Sequence, residues 1–176
     1  MKNENSNNQM SKKNGLKFLG CIGKTCALFL FLVLIRTCGS FVGKHLNKEK
    51  GQVEVGKLSN KESFFILQEN VQEMNKSFPQ KIDEYTTAKG VELNVSIPAF
   101  EYQYVVDDNA FMAVKSEVLS KSNQLAEVKS MYSDMKPLID LLVQARMGLS
   151  YVYTCKKSQK SYRVDLSYED LLKIKK

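Results

Sequence analysis

A chain of 176 residues with 43% hydrophobic content accommodates one domain of ordinary size plus a tail, and four cysteines with a single histidine exclude a disulfide scaffold or a zinc module. The formal net charge of +7 is unevenly placed: residues 1–43 carry six Lys/Arg against one acid, Glu4, a surplus of +5 that leaves +2 for residues 44–176. A nucleic-acid-binding domain gathers its positive charge on the folded part, so nucleic acid is excluded as a partner.

Residues 1–14 are rich in Asn and Ser with almost no apolar content, which predicts a disordered polar N-terminus. The run Cys26 to Ile35 (CALFLFLVLI) holds no polar side chain and lies between Lys24 and Arg36. At about 1.5 Å per helical residue it covers only half of a roughly 30 Å hydrocarbon layer. The flanking basic residues lengthen it, because a Lys or Arg stem stays apolar while its charged end extends to the interface. Residues 15–43 are therefore expected to form a transmembrane signal-anchor helix, with Leu16 to Val42 against the lipid bilayer. Besides a buried soluble helix, two alternatives stay open. One is a cleaved signal peptide cut near Cys38-Gly39-Ser40, giving a secreted form, although its n-region would be long and Arg36 would precede the cut. The other is a lipoprotein signal acylated at Cys38, although Ile35-Arg36-Thr37 puts a charge where such sites carry small neutral residues.

Basic residues precede the run (Lys2, Lys12, Lys13, Lys17, Lys24) and follow it (Arg36, Lys44, Lys48, Lys50), with a slight excess on the N-terminal side. The positive-inside rule then places the N-terminus in the cytoplasm and the bulk of the chain outside, as a single-pass protein. Residues 44–57, rich in Lys, Gly and Glu, read as a tether. Cys21, Cys26 and Cys38 lie in or beside the apolar segment, so Cys155 is alone in the downstream part, where it has no partner for an internal disulfide.

Residues 58–176 read as an extracytoplasmic α+β domain. Ser59-Asn60-Lys61-Glu62 is a capping box, and Phe64, Leu67, Val71, Met74 and Phe78 form the apolar stripe of a helix ended by Pro79. Two strands follow, one built on Val91, Leu93, Val95 and Ile97 and one on Phe100, Tyr102, Tyr104 and Val106. Asp107-Asp108-Asn109 opens a long helical region whose stripe runs from Phe111 to Leu142. Lys136-Pro137 should divide it into two helices, the second starting near Asp134. Leu149 to Cys155 and Ser161 to Leu166 make a hairpin about the turn Lys156 to Lys160, and Ser167 starts a terminal helix. The expected architecture is a small antiparallel sheet of two hairpin-like strand pairs, packed with helices.

Tyr102-Gln-Tyr104 and Tyr151-Val-Tyr153 are similar aromatic strands that an antiparallel sheet would set side by side. Tyrosine suits a half-buried strand, and the four tyrosines together also constitute a possible interaction surface for a peptide or glycan. The set Met74-Asn75-Lys76-Ser77-Phe78-Pro79, Ile82-Asp83 and Thr86, with the two Tyr-x-Tyr strands and a helix ending in Gly148, resembles small exported or membrane-anchored bacterial α+β proteins. The resemblance implies an envelope location and transfers no catalytic residue. Members of that group often carry cysteines near the long helix and the C-terminus that could pair, whereas this chain keeps only Cys155.

Candidate chemistry fails on spacing. Gly23-Lys24-Thr25 is similar to the end of a phosphate loop, but Phe18 stands where its first glycine is required. Glu101, Asp107 and Asp108 offer carboxylates, with Asp108 better read as a helix cap and Glu101 as the wet side of a strand. No serine sits in a nucleophile elbow, and His45 is on the tether. Asn75-Lys-Ser77 and Asn94-Val-Ser96 match a glycan-acceptor pattern of little meaning in a bacterial protein. No catalytic, cofactor or metal residue is assigned. The expected function is a non-enzymatic binding or structural module of the cell envelope with an envelope protein as partner. The alternative is an exported hydrolase or transferase using a Tyr/carboxylate pocket.

Overall fold

The computed structural model describes residues 58–175. The expected disordered N-terminus (1–14), signal-anchor helix (15–43) and tether (44–57) lie outside the described residues. Among those described, no helix is long and apolar enough to cross a membrane.

Helix α1 (Asn60–Asn75) starts at the anticipated capping box: the Ser59 N–H donates to Glu62 Oε2 at 2.7 Å and the Glu62 N–H to Ser59 Oγ at 3.2 Å. Strands β1 (Gln80–Lys81), β2 (Thr86–Asn94) and β3 (Ala99–Val106) follow, then α2 (Asp108–Val118), α3 (Lys121–Ser130), α4 (Tyr132–Gln144), β4 (Gly148–Cys155), β5 (Ser161–Leu166) and α5 (Tyr168–Ile174). The α+β class stands, with five strands and five helices among the described residues. The antiparallel sheet does not. The strands lie in the order β1-β2-β3-β4-β5, and every pairing is antiparallel except β3 with β4, which is parallel. The two hairpins are therefore joined side by side in a mixed sheet. Three helices between β3 and β4 make the long crossover that a parallel pair requires.

Three local expectations are corrected. Strand β2 stops at Asn94, because the Asn94 carboxamide oxygen accepts the N–H groups of Ser96 and Ile97, both at 3.0 Å, and turns the chain. Val95 and Ile97 accordingly leave the strand and are 71% and 51% exposed. The helical region contains three helices, not two. Its first break is at Ser120, which caps α3 by accepting the Asn123 N–H, and Pro137 sits inside α4. Finally, Asp107 rather than Asp108 caps α2, accepting the N–H groups of Asn109 and Ala110 at 3.0 and 3.1 Å. Asp108 instead accepts the backbone N–H groups of Lys157 and Ser158 at 2.8 and 2.9 Å and so holds the β4–β5 turn. Hydrogen bonds from Ser158 and Lys157 keep its carboxyl below the usual aspartate range.

Alternation along the strands sends Phe100, Tyr102, Tyr104, Val106, Leu149, Val164 and Leu166 to one face, where they meet Leu67, Ile139, Leu142 and Leu171 from the helices. Helices α1, α3, α4 and α5 contact the sheet and one another as a single layer, joined by Phe111 of α2, which packs on Tyr153 and Tyr162. Cys155 is buried in this core, with no disulfide partner among the described residues.

Two close approaches fix the layer on the sheet. The Asn75 carboxamide at the end of α1 donates to the Val91 carbonyl at 2.8 Å and accepts the Val91 N–H at 2.9 Å, as a neighbouring strand would. This takes place beside a bulge between Ala88 and Gly90, where a Cβ on Gly90 would come within 2.7 Å of Asn75 Oδ1. At the start of β4, a Cβ on Gly148 would lie 2.5 Å from the Leu166 carbonyl oxygen, so only glycine allows the β4–β5 junction to close.

Candidate functional site

The parallel register places Tyr102 beside Tyr151 and Tyr104 beside Tyr153. The rings stack, with centroids 5.7 and 5.1 Å apart and interplanar angles of 18° and 16°. All four tyrosines are thus brought together, through a parallel pair of strands where an antiparallel one was expected. They stand on the helix-covered face. Tyr102 and Tyr104 are buried, and Tyr151 and Tyr153 are half-buried. Phe111 and Tyr162 extend the aromatic cluster toward β5, where the Lys115 ammonium sits 3.9 Å from the Tyr162 ring centroid.

Below this cluster lies a carboxyl that pattern reading passed over. Glu127 follows Gln124 by one turn of α3 and precedes the buried Val128, so it falls at the margin of the helix's packed side. Burial pushes its carboxyl up to about 7. The Tyr151 hydroxyl is raised as well, by burial first and then by the charge of Glu127.

The opposite face of the sheet carries no helix among the described residues. Residues there come from the alternate strand positions, and a polar row crosses four strands at one register: Glu92 of β2, Glu101 of β3, Ser150 of β4 and Asp165 of β5. Arg163, one step along β5, reaches across this row. Its guanidinium pairs with Glu101 through Nη1, donates from Nε to Asp165 Oδ1 at 2.5 Å, and donates from Nη2 to Ser150 Oγ at 3.0 Å. The Ser150 hydroxyl donates a hydrogen bond to Asp165 Oδ1 at 2.6 Å. Asn94 donates to Glu101 Oε1 at 2.8 Å and Gln103 to Glu92 Oε1 at 2.7 Å. Glu101 is only 2% exposed despite standing on a helix-free face, because these side chains roof it over. Burial, and then the hydrogen bond and charge of Glu101, raise the Glu92 carboxyl above its usual range.

The carboxylates weighed from the sequence are therefore separated. Glu101 belongs to this row, while Asp107 and Asp108 cap a helix and hold a turn at the far end of β3. Glu92, Ser150, Arg163 and Asp165 were not anticipated. The signal available for them is the alternation in SYRVDL, which sets Arg163 and Asp165 opposite Tyr162 and Val164. Among the described residues, no three His, Cys, Asp or Glu side chains are grouped to hold a metal ion.

The chain matches no family model and no curated protein. Among solved structures it is similar to a Pseudomonas aeruginosa protein described as a "putative secreted protein", at 16% identity and a TM-score of 0.49, over 65% of this chain and 97% of that chain.

Proposed function

We propose that this chain is a single-pass, membrane-anchored binding module of the bacterial cell envelope, non-enzymatic, that presents the helix-free face of its sheet to an envelope protein. Leu16 to Val42 would hold it in the bilayer, with the N-terminus cytoplasmic and residues 58–176 outside. The observation that carries the reading is the row Glu92, Glu101, Ser150 and Asp165 with Arg163 laid across it. Its hydrogen bonds pre-order a polar surface, which lowers the entropy lost on binding a protein of complementary polarity. Arginine is one of the residue types that concentrates binding energy at interfaces, and Arg163 is half-buried and held in place by Glu101, Asp165 and Ser150.

Alkaline extraction of membranes with a C-terminal topology reporter tests the placement. The full chain is expected to stay in the pellet with the reporter outside the cytoplasm; extraction into the wash, or loss of the first forty or so residues by mass, refutes the anchor. Photo-crosslinkers at Gln103 and Val152, on the helix-free face, test the surface against one at Ser116 on α2. Equal yields of adducts at all three positions would refute the face assignment.

A second reading, an exported hydrolase or transferase with a Tyr/carboxylate pocket, is favoured by one feature: burial pushes the Glu127 carboxyl up to about 7, and Glu127 lies near enough to Tyr151 for its charge to raise the hydroxyl. It predicts hydrolase or transferase turnover lost in both Glu127→Gln and Tyr151→Phe.

A further inference from the structure

We infer that the β2–β3 tip, Val95-Ser96-Ile97-Pro98, is a second membrane contact that rests in the lipid interface beside the anchor. This inference rests on the membrane-anchored reading of residues 15–43.

Three observations place the tip. Val95 and Ile97 are two of the five exposed large apolar side chains among the described residues, at 71% and 51%, and the Asn94 turn holds both outside the sheet. The Pro98 carbonyl accepts the Gly148 N–H at 2.8 Å, which fixes the tip against the α4–β4 junction. The same junction receives the start of the domain, because Gln144 Nε2 donates to the Leu58 carbonyl at 2.5 Å. The chain thus enters the domain at the end of the sheet that carries the apolar tip. The β4–β5 turn, held by Asp108, is at the other end.

Residues 44–57 span at most about 50 Å even fully extended, so the anchor keeps this end of the domain within that distance of the bilayer. Tethering turns a weak contact into an intramolecular one, and two apolar side chains then suffice where they would not recruit a free protein. Lys61 and Arg146 are exposed at this end, against Glu62, which is occupied in its capping box, Glu169 at the start of α5, and the Glu92, Glu101 and Asp165 row two register steps from the tip, where Arg163 pairs with Glu101 and Asp165. A lipid interface is a better occupant than a partner protein because the tip is a small convex protrusion whose backbone turn is already satisfied by Asn94.

The chain has no tryptophan, so a single one reports its own surroundings. The full chain carrying Ser96→Trp is reconstituted into phosphatidylcholine/phosphatidylglycerol vesicles with and without lipids brominated near the headgroup end of their tails. Ser158→Trp, in the β4–β5 turn, is the reference. Apolar groups of an interfacial segment lie about 5–10 Å into the headgroup/acyl boundary, so Ser96→Trp is expected to emit to the blue and lose about half its intensity to brominated lipid. Ser158→Trp is expected to remain red and open to iodide. Adding Val95→Asp and Ile97→Asp should return the Ser96→Trp signal to that of the reference, which separates the native side chains from tryptophan's own interfacial preference. If vesicles float with the chain bound but Ser96→Trp behaves as Ser158→Trp does, the inference is overturned and the anchor stands. Blue emission without bromine quenching shows a protein cover, such as a second copy, and also overturns it. A chain that does not float with vesicles removes the anchor reading and this inference with it.

Discussion

Replacing Glu127 by Gln removes one ionisable group and little volume, and its effect on stability should depend on pH. Burial raises this carboxyl from an ordinary 4.5 to about 7. A carboxyl whose pKa rises on folding binds its proton more tightly in the native state, so its unfavourable contribution is absent below about pH 4.5. That contribution grows as the pH rises and is complete above about pH 7. For a fully enclosed group, a displacement of this size corresponds to about 3 kcal/mol. Glu127 is only partly enclosed, and solvent screening lowers the figure to roughly 1 to 2 kcal/mol. Glu127→Gln should therefore match the parent at pH 4.5 and exceed it by roughly 1 to 2 kcal/mol at pH 8. Urea unfolding of the full chain in mild detergent, at pH values from 4.5 to 8.5, reads this as a midpoint difference that opens from zero to about 1 M. Parallel curves for the two proteins across that range would refute the placement of Glu127 in a desolvated site.

Two further substitutions probe the sheet and the helix layer. Arg163→Met strands the buried Glu101 beside Glu92, and should cost about 2–4 kcal/mol in urea unfolding at pH 7. Adding Glu101→Gln should restore at least half of that loss, and simple additivity of the two changes would contradict the roofed-carboxylate account. Asn70 on α1 is 1% exposed, and neither its Nδ2 nor its Oδ1 has a hydrogen-bond partner among the described residues. Asn70→Leu should raise the thermal midpoint, by an amount equivalent to about 1 kcal/mol, since an unsatisfied buried amide carries a desolvation cost that an apolar side chain does not. A lowered midpoint would show that the amide is satisfied in solution.

Elements whose signals are local were legible in the chain. Ser59 and Glu62 lie three residues apart and cap α1 as their spacing requires, and Ser167 caps α5 with Asp170 in the same way. The β4–β5 hairpin follows from two alternating runs about a polar turn. Other local devices misled because two readings compete at one residue. Val95 and Ile97 continue the alternation of β2, yet Asn94 diverts the backbone first. Pro137 signals a break shortly before it, and one falls at Met131, but a further break falls at Ser120, whose hydroxyl offers α3 a new cap. Asp107 and Asp108 are both competent caps, and only the position of the β4–β5 turn, far along the chain, decides which carboxylate does which.

Periodicity, capping and composition act within a few residues, so the α+β class, the two hairpins, most of the apolar core and the asymmetric charge that singles out residues 1–43 can be read along the chain. The parallel pairing of β3 with β4 arises only when the fold is assembled. That pairing stacks the tyrosines against the helices and, on the other face, brings Glu101 and Ser150 into one row with Glu92 and Asp165. A strand's alternation states which residues share a face, but not which strand lies beside it. The candidate surface therefore exists only once a crossover of three helices has set one hairpin next to the other.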